Sequence, residues 1–508
     1  MTRPRLTLRL ATLGAASLLV AYNLAAQGSA PPRETIVIVH AQVVDVATGV
    51  VRPKQTLVIA GGRIQAMGAD GKVALPRGAR TVDARGLYAT PGLWDMHAHL
   101  SATSMRPRGA SGPSTIAGNA DFVLPLFVAN GVTGVRDMSG DLQLLRSWRA
   151  AVTAGQRLGP RLVVTGNKIG GTARVVPGAP FPLTTDDDIR SAVRALKRDG
   201  ADFVKYLELP AVRFPALMAA ARAEGLPVAG HVPPWMPLSE ISDAGMASTE
   251  HLLGMAQATS GEEATLLEEA RNEQTWWGQL LIRVGIWSPE RRLADRQRRA
   301  IASSAEAKTA QLFARLKRNA TWQVPTLAAI RHINGMLDDS TMREAREAYR
   351  LPFMVGRRKD WASGDTLANY AFVRWAFQTT GDMHRAGVPL LAGSDMPGTN
   401  RLAGFSLHDE LGYLVQAGLS PLDALRAATI RPAEFLAARD SLGTLEPGKL
   451  ADILLVRGNP LDDITRMQQL DAVIVDGRYI GRRDLDALLA QARTLATQWR
   501  AEAPAPTP

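Results

Sequence analysis

Two textures of hydrophobicity run along the chain. From Glu34 to about Ala69, apolar and β-branched residues recur in short segments broken by turn residues: T-I-V-I-V-H-A-Q-V-V-D-V, then T-L-V-I-A-G-G-R-I-Q-A-M-G. This is the pattern of half-buried strands. It returns near the other end in A-D-I-L-L-V-R-G and D-A-V-I-V-D-G-R-Y-I-G. Pairing between these ends would build one small β-sandwich module from residues 31–90 and 440–485.

The middle reads differently. Eight short apolar runs each end in polar or small residues and lead into a helical stretch. They are G-L-W-D-M-H-A-H (92–99), G-V-T-G-V-R-D-M (131–138), R-L-V-V-T-G-N (161–167) and A-D-F-V-K-Y-L (201–207). L-P-V-A-G-H-V (226–232), S-T-E-H-L-L (248–253), W-Q-V-P-T-L (322–327) and V-P-L-L-A-G-S-D (388–395) follow. Strands alternating with helices imply a parallel sheet, and eight units predict an α/β fold with a closed (β/α)8 TIM barrel over 91–439. Two long helical insertions, 256–320 and 328–384, interrupt the spacing around the seventh strand. Within them Trp276, Trp277 and Trp287 are expected to pack an amphipathic helix into the core, with a lid as the other option. A last helix, from about Leu485 to Arg500, lies in the terminal segment 486–508 and ends in A-E-A-P-A-P-T-P.

Composition narrows the class. The 508 residues are 46% hydrophobic and 21% charged, an ordinary balance for a folded protein with room for a large core and a second module. Arg3, Arg5 and Arg9 precede an apolar stretch from Leu10 to Ala26, so residues 1–30 read as an export leader, with an uncleaved membrane anchor as the alternative. A periplasmic or secreted protein with no stable membrane insertion is expected after cleavage. The absence of cysteine removes disulfides, thiolate ligands and cysteine nucleophiles. Losing the three leader arginines takes the net charge from +11 to +8. The densest basic run, R-R-L-A-D-R-Q-R-R at 291–299, reads as a solvated helix face, and no nucleic-acid motif is present.

The polar residues at the strand ends carry the chemistry. Side chains two apart in a strand share a face, so His97 and His99 would point together with Asp95 behind them. Lys205 lies near the end of the fourth run; His231, His251 and Asp395 close the fifth, sixth and eighth. In this fold, active sites gather at the C-terminal ends of the strands. Four imidazoles offer neutral nitrogen ligands for zinc or a neighbouring metal, and Asp395 offers an anion. Lys205 is either a salt-bridged or snorkelling lysine, or an amine that has taken up carbon dioxide to become a bridging carbamate.

With P-G-L-W-D-M-H-A-H, D-F-V-K, A-G-H-V, S-T-E-H, A-G-S-D, L-H-D-E-L-G-Y-L-V-Q-A-G and G-T-L-E-P-G-K-L-A-D-I-L-L-V, the chain resembles the amidohydrolase superfamily from about residue 35 to 485. The similarity is to its imidazolonepropionase-like and prolidase-like branch. The resemblance implies two divalent ions, usually zinc. His97, His99 and Asp395 would hold the more buried one, His231 and His251 the other, and carbamylated Lys205 would bridge them. It also implies cleavage of an amide-type C–N bond by metal-activated hydroxide, with Asp395 accepting the proton and passing it to the leaving nitrogen. The stretch T-G-N-K-I-G-G (165–171) departs from the T-G-G-H of dipeptide-cleaving relatives, which weakens that assignment. Lys168 there could meet a substrate carboxylate, with a surface position favoured.

Other polar residues leave choices open. Arg136, beside Asp137, is a substrate contact or half of an internal ion pair, and His332 a substrate contact or part of the insertion. Tyr206 is expected to pack, His384 and His408 to be structural, and His40 to lie in the β module. Two further functions compete: an esterase, lactonase or phosphoesterase on the same centre, and a catalytically silent binding protein. The partner is a small-molecule substrate, and a homo-oligomer is compatible with the sequence.

Overall fold

The computed structural model describes residues 34–101, 113–170, 183, 185–336, 346–351, 366–398 and 400–502. The expected leader, residues 1–30, lies outside them. Strands β1 (Ile36–Asp45), β2 (Val50–Ala60), β3 (Arg63–Ala69), β4 (Arg80–Asp83) and β5 (Leu87–Pro91) join β14 (Ile453–Arg457), β15 (Leu470–Val475) and β16 (Arg478–Gly481) in one eight-stranded sheet. The two ends of the chain meet where β5 pairs antiparallel with β14, Ala89 opposite Leu455. Alternation there feeds two cores. Ile453 and Leu455 join Ile36, Ile38, Leu57 and Ile59. Leu454 and Val456 face the other way, into the large core with Leu93, Val132 and Leu162. Both faces are covered, so the strands read as nearly continuous apolar runs.

Two parallel sheets make up the middle. One contains β6 (Leu93–Ala98), β7 (Val132–Asp137) and β8 (Arg161–Val164). The other contains β9 (Ile169–Gly170), β10 (Val204–Glu208), β11 (Val228–Gly230), β12 (Ser248–Glu250) and β13 (Trp322–Val324). The eighth expected strand is not a continuous one: 388–396 makes isolated parallel bridges, Leu390 to Gln323 and Met396 to Ala98. Its backbone nevertheless bonds to both neighbours. Leu391 N–H donates to Gln323 O at 2.9 Å, and Asp395 N–H donates to His97 O at 2.7 Å. Gly393 explains the close fit, since a Cβ there would lie 2.7 Å from both His97 Cβ and Val324 Cγ1. At the opposite border, Asp202 N–H donates to Val164 O at 2.8 Å.

Several strands are shorter than the apolar runs that announced them, because their last residues turn out of the ladder. His251, Leu252, Thr326 and Asp395 all adopt left-handed φ between 51° and 61°. Such backbone costs a non-glycine residue about 1–3 kcal/mol and collects at functional sites. Gly230 (φ 148°) is the reverse case: a Cβ would fall 1.9 Å from Tyr206 O, so only glycine lets β11 lie against β10.

After β12 an arm of five helices, from Met255–Thr259 to Glu306–Arg318, precedes β13. Two expectations fail here. Trp276 and Trp277 are not core: they are 67% and 58% exposed and stack on each other at 3.8 Å. Their helix, Trp276–Arg283, buries only Gly278, so no apolar face is left to cover them. The basic run is not simply solvated. Arg296 is buried and paired with Glu273, which also accepts from Arg292, while Arg299 bonds to Glu262 and Glu269. The closing helix, Arg482–Glu502, packs Trp499 against Phe122. Among the described residues, no helix is long and apolar enough to cross a membrane.

Candidate metal centre

Five of the six expected ligands stand at strand ends around one point, and the sixth rises from within a strand beside them. His97 comes from β6, and His99 from just beyond it; His251 follows β12, and Asp395 lies on the bridging segment. One ligand atom each from His97, His99 and Asp395 lie within 4.8 Å of one another. Both Nε2 atoms stand 3.4 Å from Asp395 Oδ1. The His251 ring lies 4.5 Å from that of His97 and 5.2 Å from that of His231, which extends the cluster. Lys205, in β10, is fully buried, and its charge acts on the His97, His231 and His251 rings.

The outer nitrogens are fixed. His97 Nδ1 meets Glu250 Oε2 at 2.7 Å, His99 Nδ1 lies 3.1 Å from Ser139 Oγ, and His251 Nδ1 lies 2.7 Å from Thr326 Oγ1. The inner atoms are not satisfied: buried His97 Nε2 and Lys205 Nζ have no hydrogen-bond partner. Orphaned polar atoms at full burial are costly, and metal-ligating imidazoles typically show this division, one nitrogen anchored and the other offered. The donor set of four imidazoles and a carboxylate fits a divalent transition ion.

Electrostatics agree with that division. Burial holds His97 and His231 well below the usual imidazole value and His251 at about 4, so the rings are neutral donors. Burial alone would raise Asp395, but the Arg401 guanidinium and the hydrogen bond from His99 hold it well below the carboxylate range. Arg401 Nε also donates to Asp395 O at 2.8 Å. Burial pulls Lys205 down to about 7, with Lys168 and Arg136 adding to the effect and Glu250 and Asp395 opposing it. Burial raises Asp95 to about 6, although it accepts from Ser394 Oγ at 2.6 Å and so ties β6 to the bridging segment. Asp137, also at about 6 through burial, accepts the Leu100 N–H at 2.6 Å.

The candidate substrate contacts separate. Arg136 is not one. It is 1% exposed, donates to Met96 O, Ser248 Oγ and Glu250 Oε1, and lies over Phe435 and Phe203, so no face is free for a ligand. Lys168 is not a surface lysine: it is part-buried, and burial lowers it while Asp395 and Asp137 raise it, which puts its ammonium in the field of the centre. His332 sits, part-buried, in the last turn of helix Leu327–Ile333. Tyr206 is packed, its ring 5.1 Å from Phe214. His408 meets Asn130 O at 2.8 Å, and His40 pairs with Asp70 in the terminal sheet.

Glu250, Thr326 and Arg401 went unrecognised in the sequence. Glu250 left a trace. Ser248 and Glu250 share a face of β12, and a charged residue in a buried strand needs a partner.

Residues 376–480 match the model of the Amidohydrolase family. Among solved structures, a bottromycin amidohydrolase is 25% identical, with 96% of this chain and 94% of that one covered and a TM-score of 0.68. These matches support the amidohydrolase superfamily. A Xaa-Pro dipeptidase with bound methionine in its active site shares the fold of this chain at 21% identity, covering 88% of this chain and all of the other, with a TM-score of 0.63. The adenine deaminase of Moorella thermoacetica is 28% identical over 148 residues, 29% of this chain and 23% of that protein. The chain thus spans less than a quarter of the length of the curated relatives it matches. Its fold is of the TIM-barrel α/β type.

Proposed function

We propose that this chain is an exported, metal-dependent hydrolase of amide-type C–N bonds in peptide-like, N-acyl or cyclic substrates. The observation that carries the reading is the pair of buried atoms without a hydrogen bond, His97 Nε2 and Lys205 Nζ, beside a cluster in which His97 meets His99, His251 and Asp395 and His251 meets His231. The Xaa-Pro dipeptidase and the bottromycin amidohydrolase among the similar structures favour an amide-like substrate. On this reading β6, β7, β8 with β9 as its continuation, β10 to β13 and the bridging segment form one closed eight-stranded ring, and the terminal sheet belongs to a β-sandwich module. The expected boundaries are 31–90 with 440–485, 91–439, and 486–508 after the leader 1–30.

His97, His99 and Asp395 would hold one divalent ion and His231 and His251 a second, with a carbamate on Lys205 supplying a further anionic ligand. When bound, such an ion lowers the pKa of a coordinated water to about 7 and polarises a carbonyl oxygen. Asp395, ionised by its neighbours, accepts a proton from the attacking water and delivers it to the leaving nitrogen. Neutral His97, His231 and His251 keep their nitrogens free to donate electron pairs. Lys168, with its ammonium in the field of the centre, would receive an anionic group of the substrate.

The test is metal analysis of the purified protein together with a screen of dipeptides, N-acyl amino acids, cyclic amides, esters and lactones, with Asp395→Asn as the blank. Bound metal with turnover of amides supports the reading. Turnover of esters or lactones alone replaces it with the esterase or lactonase alternative. Failure to retain zinc overturns it in favour of a binding protein.

A further inference from the structure

We propose that Arg136, acting through Glu250, sets the tautomer of His97, so that this ring offers its Nε2 lone pair to the centre. Neither residue touches the centre itself; both are positioning residues. The proposal rests on the metal reading only where it concerns metal affinity, because the tautomer belongs to the metal-free protein.

The geometry assigns each oxygen of Glu250 a separate task. Oε1 faces two donors, Arg136 Nη2 at 3.1 Å and Ser248 Oγ at 2.6 Å. Oε2 faces His97 Nδ1 at 2.7 Å. A carboxylate only accepts, so the proton on His97 must sit on Nδ1. Nε2 lies 3.4 Å from Asp395 Oδ1 without a hydrogen bond to it, against 2.7 Å from Nδ1 to Glu250, and is then the lone-pair nitrogen. All three side chains are buried, so no bulk water competes for these bonds. Arg136 is itself fixed. Nη1 donates to Ser248 Oγ at 3.1 Å, Nε donates to Met96 O at 2.7 Å, and the guanidinium lies 4.9 Å from the Phe435 ring centre. The bond to Met96 O holds the backbone one residue before His97. Arg136 therefore fixes both the strand that carries the ring and the carboxylate that orients it.

Glu250→Gln makes the arrangement testable, because an amide has one accepting end and one donating end. Its oxygen is claimed by the donors Arg136 Nη2 and Ser248 Oγ, which leaves the NH2 facing His97 Nδ1. Nδ1 must then accept, and the proton moves to Nε2, the atom aimed into the cluster. A near-isosteric change is thus expected to invert the tautomer. Replacing Arg136 as well removes the stronger claim on the amide oxygen. The Ser248 hydroxyl can rotate to accept, so the amide can turn over and restore the original tautomer.

The experiment is long-range 1H–15N NMR of the 15N-histidine-labelled, metal-free protein, with the His97 signals assigned by their loss in His97→Gln. Zinc retention is measured in parallel by chelator competition. The wild type is expected to be protonated at Nδ1. Glu250→Gln is expected to be protonated at Nε2 and to hold zinc about 10–100-fold more weakly. Arg136→Met combined with Glu250→Gln is expected to recover Nδ1 protonation and most of that affinity. Wild-type protonation at Nε2, or a tautomer unchanged in Glu250→Gln, overturns the proposal. If Arg136→Met proves poorly folded by circular dichroism, Glu250→Asp supplies the second variant: it keeps an acceptor-only group and is expected to keep Nδ1 protonated. A tautomer that switches as described in a protein that binds no zinc supports the positioning role and overturns the metal reading.

Discussion

Two regions of the molecule concentrate charge and treat it in opposite ways. In the helical arm, Arg292, Arg296 and Arg299 are matched by Glu273, Glu262 and Glu269, each guanidinium against at least one carboxylate. In the candidate centre, the innermost atoms of His97 and Lys205 are buried without a hydrogen bond. The arm pairs its charges and uses the pairs to hold helices together, although Arg296 Nε is buried without a hydrogen bond. The centre leaves polar groups unsettled and holds them in place with bonds on their far sides. Charge density alone does not mark a site; what sets the centre apart is that its open atoms gather with further imidazoles and a carboxylate.

Four changes break or sharpen this contrast. Asp395→Asn should lower turnover by about 10²–10⁴-fold, the range expected for loss of a proton-transfer group, with the circular dichroism spectrum unchanged. Glu273→Ala should do the reverse. It strands the buried Arg296 and should cost about 3–5 kcal/mol in denaturant unfolding while zinc retention stays the same. Glu410→Gln probes an intermediate case. This buried carboxyl has no partner at Oε1, accepts the Ala328 N–H at Oε2, and is raised by burial to about 8 from 4.5. Because its folded pKa is raised, the native state prefers the proton. Wild-type stability from this group is intact below pH 4.5 and is lost as pH climbs through about 8. The amide of Glu410→Gln does not titrate and carries no such penalty. The variant should therefore melt higher than wild type at pH 9 and match it near pH 4, by differential scanning calorimetry. Arg299→Ala, on the exposed side of the arm, should cost less than about 1 kcal/mol in denaturant unfolding, because partly exposed pairs are screened by water.

How much of this was legible depends on what periodicity can say. The terminal strands and the parallel runs were visible because alternation and run length report burial directly. His97, His99, His231, His251 and Asp395 were visible because the ends of the runs are also where the fold gathers chemistry. Partnership across the molecule was not. Arg136 could be read as facing substrate or facing an acid, and only the fold brings Glu250 to within 3.1 Å of it, 114 positions along the chain. Trp276 and Trp277 suit a core by composition, but the short helix that carries them turns outward. Lys168 looked like a surface residue because nothing local shows that the fold part-buries it within the influence of Asp395 and Asp137. The run 388–395 has the composition of a strand, yet its turn into the centre leaves only isolated bridges.

The alternation in β14 also limits how this stretch can change over generations. Ile453 and Leu455 serve one core while Leu454 and Val456 serve the other, so a swap of one aliphatic for another is absorbed locally. Gaining or losing a single residue between Asp452 and Arg457 would send every following side chain to the wrong core at once. Lineages descending from this chain should therefore vary freely in spelling here but never in length.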